Sequence, residues 1–177
     1  MIGRRLCRLA VTVLLGGCTV TGQSVPSPEL RVVAGVPAFQ AQERRDDCAA
    51  VALASLLGHA GMTVALADID AAVYDPRLGG ALLPDLENFA ARIGASPRSG
   101  RGRVDELRQL LHAGRPVLVP IDLGWSLWRR PHYVVLYGVG ADAFLMHLRH
   151  GETRSMPLPE FERRWSLMGR LYLYLEQ

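Results

Sequence analysis

The rhythm of apolar positions changes twice along the chain. A nearly unbroken apolar run covers Leu9 to Leu15. A second stretch, Cys48 to Leu57, is rich in helix formers, follows Asp46-Asp47 and runs into Gly58. Asp is a good N-cap and Gly a helix stop, so this spacing predicts a helix with Cys48 in its first turn. Further helices are predicted at Leu66–Val73, Leu83–Ile93 and Val104–Ala113. They are separated by Asp75-Pro-Arg-Leu-Gly-Gly80 and by the segment Ser96 to Arg103, whose three arginines read as a solvated loop. After Gly114 the period shortens. Arg115–Ile121 and His132–Gly138 read as buried strands, Gly138–Asp142 as a turn, and Ala143–Leu148 as the returning strand. Thr153–Met156 can add a strand, Glu160–Trp165 a short helix, and Leu171–Leu175 a closing strand. Helices first and an antiparallel sheet second is an α+β layout. The chain shows no internal repeat.

Composition sharpens this picture at the N-terminus. The chain has 177 residues, 49% hydrophobic and 21% charged, which is a globular balance with room for one domain plus a tail. Its net charge of +3 is confined to one place: Arg4, Arg5 and Arg8 lie in the first 17 residues, where there is no acid. Removing those three from 20 basic residues leaves 17 against 17 acidic, so the body is neutral and lacks the basic surplus of a nucleic-acid binder. There is no lysine, which excludes lysine Schiff-base chemistry and a Walker-type phosphate loop. Three arginines followed by a short apolar run form a secretory signal, too short for a membrane span. The junction Leu15-Gly-Gly-Cys18 resembles a bacterial lipobox. That resemblance implies cleavage before Cys18 and lipid on its N-terminus. Thr19, where inner-membrane retention would call for Asp, implies the outer membrane facing the periplasm. The expected organisation is a signal peptide at 1–17, a lipid-anchored tether at 18–38 carrying Pro26, Pro28 and Pro37, and a folded domain at 39–177.

Cysteine arithmetic then isolates one thiol. Cys7 leaves with the signal and Cys18 is acylated, so Cys48 has no intramolecular partner in an oxidising compartment. At a helix N-terminus, unpaired N–H groups and the helix dipole favour its thiolate, while Asp46 and Asp47 oppose it. His132 opens a strand 84 residues later, and His147 lies on the next strand. A thiol nucleophile, a base, a group that orients the base and a donor for the developing oxyanion make up a cysteine peptidase. Gln42 and the Cys48 N–H are the candidate oxyanion donors.

Gln42-x₅-Cys48 with Asp47 before it, Asp75-Pro-x-Leu-Gly-Gly80, Gly114-Arg-Pro-Val117 and His132-Tyr-Val-Val-Leu-Tyr-Gly138 together resemble the bacteriocin-leader (double-glycine) peptidase family of the papain-like clan. The resemblance spans about Val36 to Trp165, with a likeness to small bacterial lipoproteins that carry this domain without a transporter. It implies a papain-like fold, Cys48 as nucleophile, His132 as general base, Gln42 as oxyanion donor, no cofactor and no metal. The implied partner is a peptide or protein substrate in the cell envelope, with membrane contact only through lipid on Cys18.

One position departs from that pattern. The family usually places an Asp about 16 residues after the histidine, and Leu145 to Gly151 contains no acid. His147 is the candidate replacement. If the hairpin turn is centred between Val139 and Gly140, His132 lies opposite His147. If it is centred one residue later, His132 opposes Arg149 and His147 is a diagonal neighbour on the same face. A turn centred on a single residue puts His147 on the other face. Asp142, in the turn, is expected to be too distant. A Cys-His-His set is also found in cell-wall endopeptidases of the NlpC type, which stand as an alternative. A non-catalytic peptide-binding lipoprotein is another. His59 and His112 are expected at helix ends and His150 on the sheet surface. The histidine and cysteine spacings give no support to a zinc site. Trp125 and Trp128 are expected either to flank the cleft or simply to pack.

Overall fold

The computed structural model describes residues 30–38, 47–125, 128–148 and 152–176. Five helices and seven strands follow in the order β1 (Arg31–Val32), α1 (Cys48–His59), α2 (Leu66–Val73), α3 (Leu83–Arg92), β2 (Pro97–Arg101), α4 (Val104–His112), β3 (Val117–Asp122), β4 (Pro131–Val139), β5 (Ala143–His147), β6 (Thr153–Pro157), α5 (Leu158–Ser166) and β7 (Leu171–Leu175). All the strands belong to one sheet in the order β2-β7-β3-β4-β5-β6, with β1 also on β4. Every pairing is antiparallel. The α+β, papain-like layout expected from the sequence is the one observed.

Each face of the sheet buries its own core because strand side chains alternate. Leu118, Val135, Leu173 and Leu175 pack with the buried side of α1, α2 and α3. Val117, Val119, Ile121, Val134, Leu136, Phe144 and Met146 pack with Leu107 and Leu111 of α4 and Phe161 and Trp165 of α5. β3 is buried at all six positions, which is why it reads as an unbroken apolar run and not an alternating one. α1 is buried nearly all round, from Ala49 to Leu57. Removing a leucine such as Leu53 from water contributes about 1.5–3 kcal/mol, so α1 is held by packing and its N-terminus has a fixed position.

Several boundaries and two elements differ from the sequence expectation. Gly58 does not stop α1. The helix runs to His59, and the reversal comes at Gly61 with φ +77°. The arginine-rich segment Ser96 to Arg103 is not a free loop: Pro97–Arg101 pairs residue for residue with β7 from Leu175 to Leu171. The far end of the expected tether also joins the sheet. Arg31 and Val32 pair with Val139 and Gly138, and Val33 is buried and donates its N–H to the Tyr137 carbonyl at 2.7 Å. β3 covers that side of β4 only as far as Leu136, and β1 takes the position beyond it.

Candidate active site

Cys48 is the first residue of α1 and is half-buried. Asp47 holds the N-cap position without a side-chain cap hydrogen bond, and its carbonyl accepts the Val51 N–H at 3.1 Å. The first N–H groups of a helix have no intrahelical acceptor, so the thiol sits where partial positive charge gathers. Asp47 is itself buried beside it and opposes a thiolate there.

A cleft of about 890 Å3 opens at this helix end. Both Cys48 and His132 line it. One wall is the segment Leu78 to Pro84, and the other is formed by Pro120, Arg130 and Pro131, with Met168 and Leu171 behind. The first wall is shaped by a tight loop. Asp75 N–H donates to the Gly80 carbonyl at 2.7 Å, and the Asp75 carboxylate accepts the Arg77 N–H at 2.8 Å. Gly79 takes φ +60°, a conformation that suits glycine. Hydrogen bonds from the Arg77 side chain and backbone hold the Asp75 carboxyl below its ordinary value. Tyr133 ties this wall to the sheet through its hydroxyl, which donates to the Ala81 carbonyl at 3.1 Å. Burial, aided by the nearby Cys48 sulfur and Asp85, pushes the Tyr133 phenol far up, so it stays protonated as a donor.

His132 is buried, and its Nε2 lies 2.6 Å from the Leu148 carbonyl oxygen. A carbonyl can only accept, so Nε2 carries the hydrogen. The neutral ring then has its lone pair on Nδ1. This fixes both the tautomer and the orientation of the imidazole. Leu148 is 16 residues after His132, the interval at which the sequence comparison expected an acid. The acceptor there is main chain, which is why no acidic side chain marks it.

The register sets His147 apart from that position. Near the turn, Val139 pairs with Phe144 and Gly138 with Leu145, and Gly140 N–H donates to the Ala143 carbonyl. The turn is therefore centred between Ala141 and Asp142, later than either centre considered from sequence. That spacing alone would keep His132 and His147 on one face. However, Leu136 pairs with Met146, so Tyr137 is an extra residue in β4. A bulge of one residue reverses which face every later partner occupies. His147 lands opposite Val135, on the other face from His132, with its ring stacked on Tyr137 at 4.2 Å. Burial pushes the His147 pKa down, and the Val36 backbone acts weakly in the other direction. The bulge is fixed in place by Gly138, where a Cβ would stand 2.9 Å from that of Leu145.

Asp122 is a site residue that the sequence reading missed. It is buried at the end of β3, and its Oδ1 accepts the N–H groups of Gly124 at 2.7 Å and Arg130 at 2.8 Å. Burial resists its ionisation, but those two hydrogen bonds and the charges of Arg129 and Arg164 outweigh it and hold the carboxyl below its ordinary value. The carboxylate thus closes the β3–β4 loop and sets the chain that enters His132. Gly124 is required there, since a Cβ would collide with the Trp128 carbonyl. An Asp ending an apolar run, followed two residues later by Gly, was the available signal. Trp125 and Trp128 form the bridge at the loop's tip and are 89% and 84% exposed, so they do not pack, and they are not cleft walls. His59 and His112 sit in the last turns of α1 and α4, as expected. Cys18, Gln42, Asp46 and His150 lie outside the described residues.

Comparison with known proteins identifies the family and the fold. Residues 38–173 match the Peptidase C39 family. Among solved structures, a protein described as a C39-like peptidase from Bacillus anthracis superposes with TM-score 0.68 at 18% identity, covering 84% of this chain and 98% of its own. A double glycine motif protease from an AMS/PCAT transporter, in complex with the leader peptide, gives 0.65 at 19% identity, covering 85% and 99%. The peptidase domain of Streptococcus ComA, a bifunctional ABC transporter of a quorum-sensing pathway, gives 0.62 at 20%, covering 78% and 96%. No curated protein matches.

Proposed function

The chain belongs to the Peptidase C39 family of cysteine peptidases, and from that premise we propose that it hydrolyses peptide bonds with Cys48 as nucleophile and His132 as base. The observation that supports this reading is the hydrogen bond from His132 Nε2 to the Leu148 carbonyl, at the wall of the cleft that Cys48 shares. In the reaction, His132 Nδ1 takes the thiol proton and the Cys48 thiolate adds to the scissile carbonyl. The tetrahedral oxyanion is met by the Cys48 N–H and the Gln42 amide. The Nδ1 proton then passes to the departing amine, leaving a thioester that water hydrolyses. A carbonyl lends the imidazolium partial charge, where a carboxylate would lend a full one, so turnover is slower than with an acid at this position.

The same reading places the protein in the cell envelope, held by lipid on Cys18 and working on a peptide substrate there. Twelve residues from Cys18 to Leu30 reach up to about 40 Å when extended. Arg31 pairs with Val139, whereas His132 lies at the other end of β4, roughly 23 Å away. A tether of that reach would leave the cleft clear of the membrane surface. The register, which sets His147 opposite Val135 and on the other face from His132, favours a Cys-His pair over the Cys-His-His alternative.

The test is the pH-dependence of Cys48 alkylation by iodoacetamide, read at the Cys48 peptide by mass spectrometry. Activation predicts reaction well below the ordinary thiol value of about 8.5, lost in His132→Ala. A profile that titrates like a free thiol in both proteins would move the non-catalytic binding reading ahead.

A further inference from the structure

The cleft is apolar over most of its wall: Leu78, Leu82, Pro84, Pro120, Met168 and Leu171 all contribute. Among the described residues that line it, Arg130 is the one with a formal charge. Its neighbours are committed elsewhere. Arg129 donates to the Leu167 carbonyl at 3.1 Å, and Arg164 donates to Glu160 at 2.9 Å and to the Asp122 carbonyl at 2.8 Å. Asp122 feels the charges of Arg129 and Arg164, whereas Arg130 gives it only a backbone N–H. No carboxylate among the described residues pairs with the Arg130 side chain. Its backbone, by contrast, is held on both sides: N–H to Asp122 Oδ1 at 2.8 Å, and carbonyl accepting from Leu123 N–H at 2.9 Å.

An exposed guanidinium on a fixed backbone, with no carboxylate partner among the described residues, at the wall of an apolar cleft is placed to meet a carboxylate. We infer that Arg130 is a specificity-determining residue that binds a carboxylate of the peptide close to the bond being cut. The inference rests on the peptidase reading. Arg130 lies two residues before His132, so the carboxylate belongs within a few residues of the scissile bond. The preferred substrate is then apolar beside the bond and acidic nearby. The acid is either an Asp or Glu side chain or the peptide's own C-terminus.

Two alkylating probes of nearly equal size separate this from thiol activation. Iodoacetamide is neutral and iodoacetate carries a carboxylate. In each case the Cys48 thiolate displaces iodide, so the ratio of the two rates at Cys48 isolates the electrostatic attraction. In water, a unit charge roughly 7 Å from a reacting carboxylate changes such a ratio by about 3-fold. In the full chain, Arg130→Gln is expected to lower the iodoacetate/iodoacetamide ratio by about 3-fold and Arg130→Glu by about 10-fold, with the iodoacetamide rate within about 2-fold of the parent. Arg129→Gln, which removes the same charge from the adjacent position, should leave the ratio within about 1.5-fold. An unchanged ratio in both Arg130 variants overturns the inference, as does an equal fall in the Arg129 variant. Failure of the peptidase reading shows separately, as an iodoacetamide profile without activation.

A proteome-derived peptide mixture offered to the full chain, with free and with amidated C-termini, distinguishes the two sources of carboxylate. Enrichment of Asp or Glu beside new termini that survives amidation and fades in Arg130→Gln identifies the side chain. Cleavage that disappears on amidation identifies the terminal carboxylate. Cleavage indifferent to acids and to amidation overturns the inference.

Discussion

The β4–β5 hairpin carries a buried histidine on each strand, and the two occupy opposite faces in different company. His132, at the open end, has a carbonyl acceptor on Nε2 and a cleft beside it. His147 lies flat against Tyr137 opposite Val135, with its pKa pushed down by burial. Both are imidazoles on one hairpin, and the extra residue Tyr137 separates their fates. A ring that is oriented through one nitrogen and has space beside it can move a proton. A ring that is stacked and desolvated is a packing element that resists protonation. What sets His132 apart as the candidate base is thus the acceptor and the cleft, and proximity in sequence to another histidine adds nothing.

The largest effect that tests this contrast is on turnover. Should a cleavable peptide be found, His132→Ala is expected to lower kcat/KM by about 10³-fold or more, because general-base transfer and thiolate formation are lost together. His147→Ala should stay within about 10-fold at pH 7, since the register sets that ring opposite Val135 and stacked on Tyr137. A comparable loss in the two variants, with both proteins folded by circular dichroism, would break the distinction between the histidines.

Next in size is the support beneath His132. Asp122→Ala removes the acceptor of two backbone N–H groups in a buried position. A lost charged acceptor of this kind costs about 2–3 kcal/mol, measured as a shift of the denaturation midpoint in urea. Because the folded Asp122 carboxyl is held below its unfolded value, its contribution is present above about pH 4 and disappears as pH falls through the lower folded value. Asp122→Asn keeps one acceptor oxygen and should recover part of the loss at pH 7 while showing less of the acid sensitivity.

How much of this was visible in the sequence follows from how local each cause is. The helix that begins at Cys48 and the strand that begins at His132 are written in consecutive residues, so the element types, their order and the α+β layout could be read directly. Two strands could not. Pro97-Arg-Ser-Gly-Arg101 has the composition of a loop, and only its pairing with β7, 70 to 78 positions away in sequence, makes it an edge strand. Arg31-Val32 is too short to show a period and is a strand because β3 leaves the side of β4 open beyond Leu136. The acceptor for His132 was hidden for a different reason. A search among side chains passes over a backbone carbonyl, which every residue carries. The bulge at Tyr137 was equally silent, although Gly138 marked the place where two strands approach too closely for a side chain. Register arithmetic is only as good as the assumption that no strand gains a residue.

A smaller effect concerns the stacking partner. Tyr137→Ala leaves the extra residue in place and removes the ring from His147. The stacked pair, together with part of the apolar area it covers, contributes about 1–2 kcal/mol, readable from the same urea midpoint. Activity should persist, because the bulge keeps its register through Gly138 and the Leu136–Met146 pairing.

The smallest predicted effect is the most specific to the contrast, because it reads the protonation of His147 in place. Its folded pKa lies below the ordinary value of 6.5, with burial as the chief cause. The unfolded chain therefore binds a proton in a pH range where the folded chain does not. Stability rises with pH wherever the unfolded state holds more protons. The contribution of this site is thus complete above pH 6.5 and is lost as pH falls from there toward the lower folded value. His147→Gln has no such proton to exclude. The difference in unfolding free energy between parent and variant should shrink in the parent's disfavour as the solution is taken from pH 7.5 to pH 5, while His132 and all other titrating groups, common to both proteins, cancel. A difference that stays constant over that range would show that His147 titrates alike in both states, and the stacked, desolvated face of the hairpin would lose its distinction from the face that carries His132.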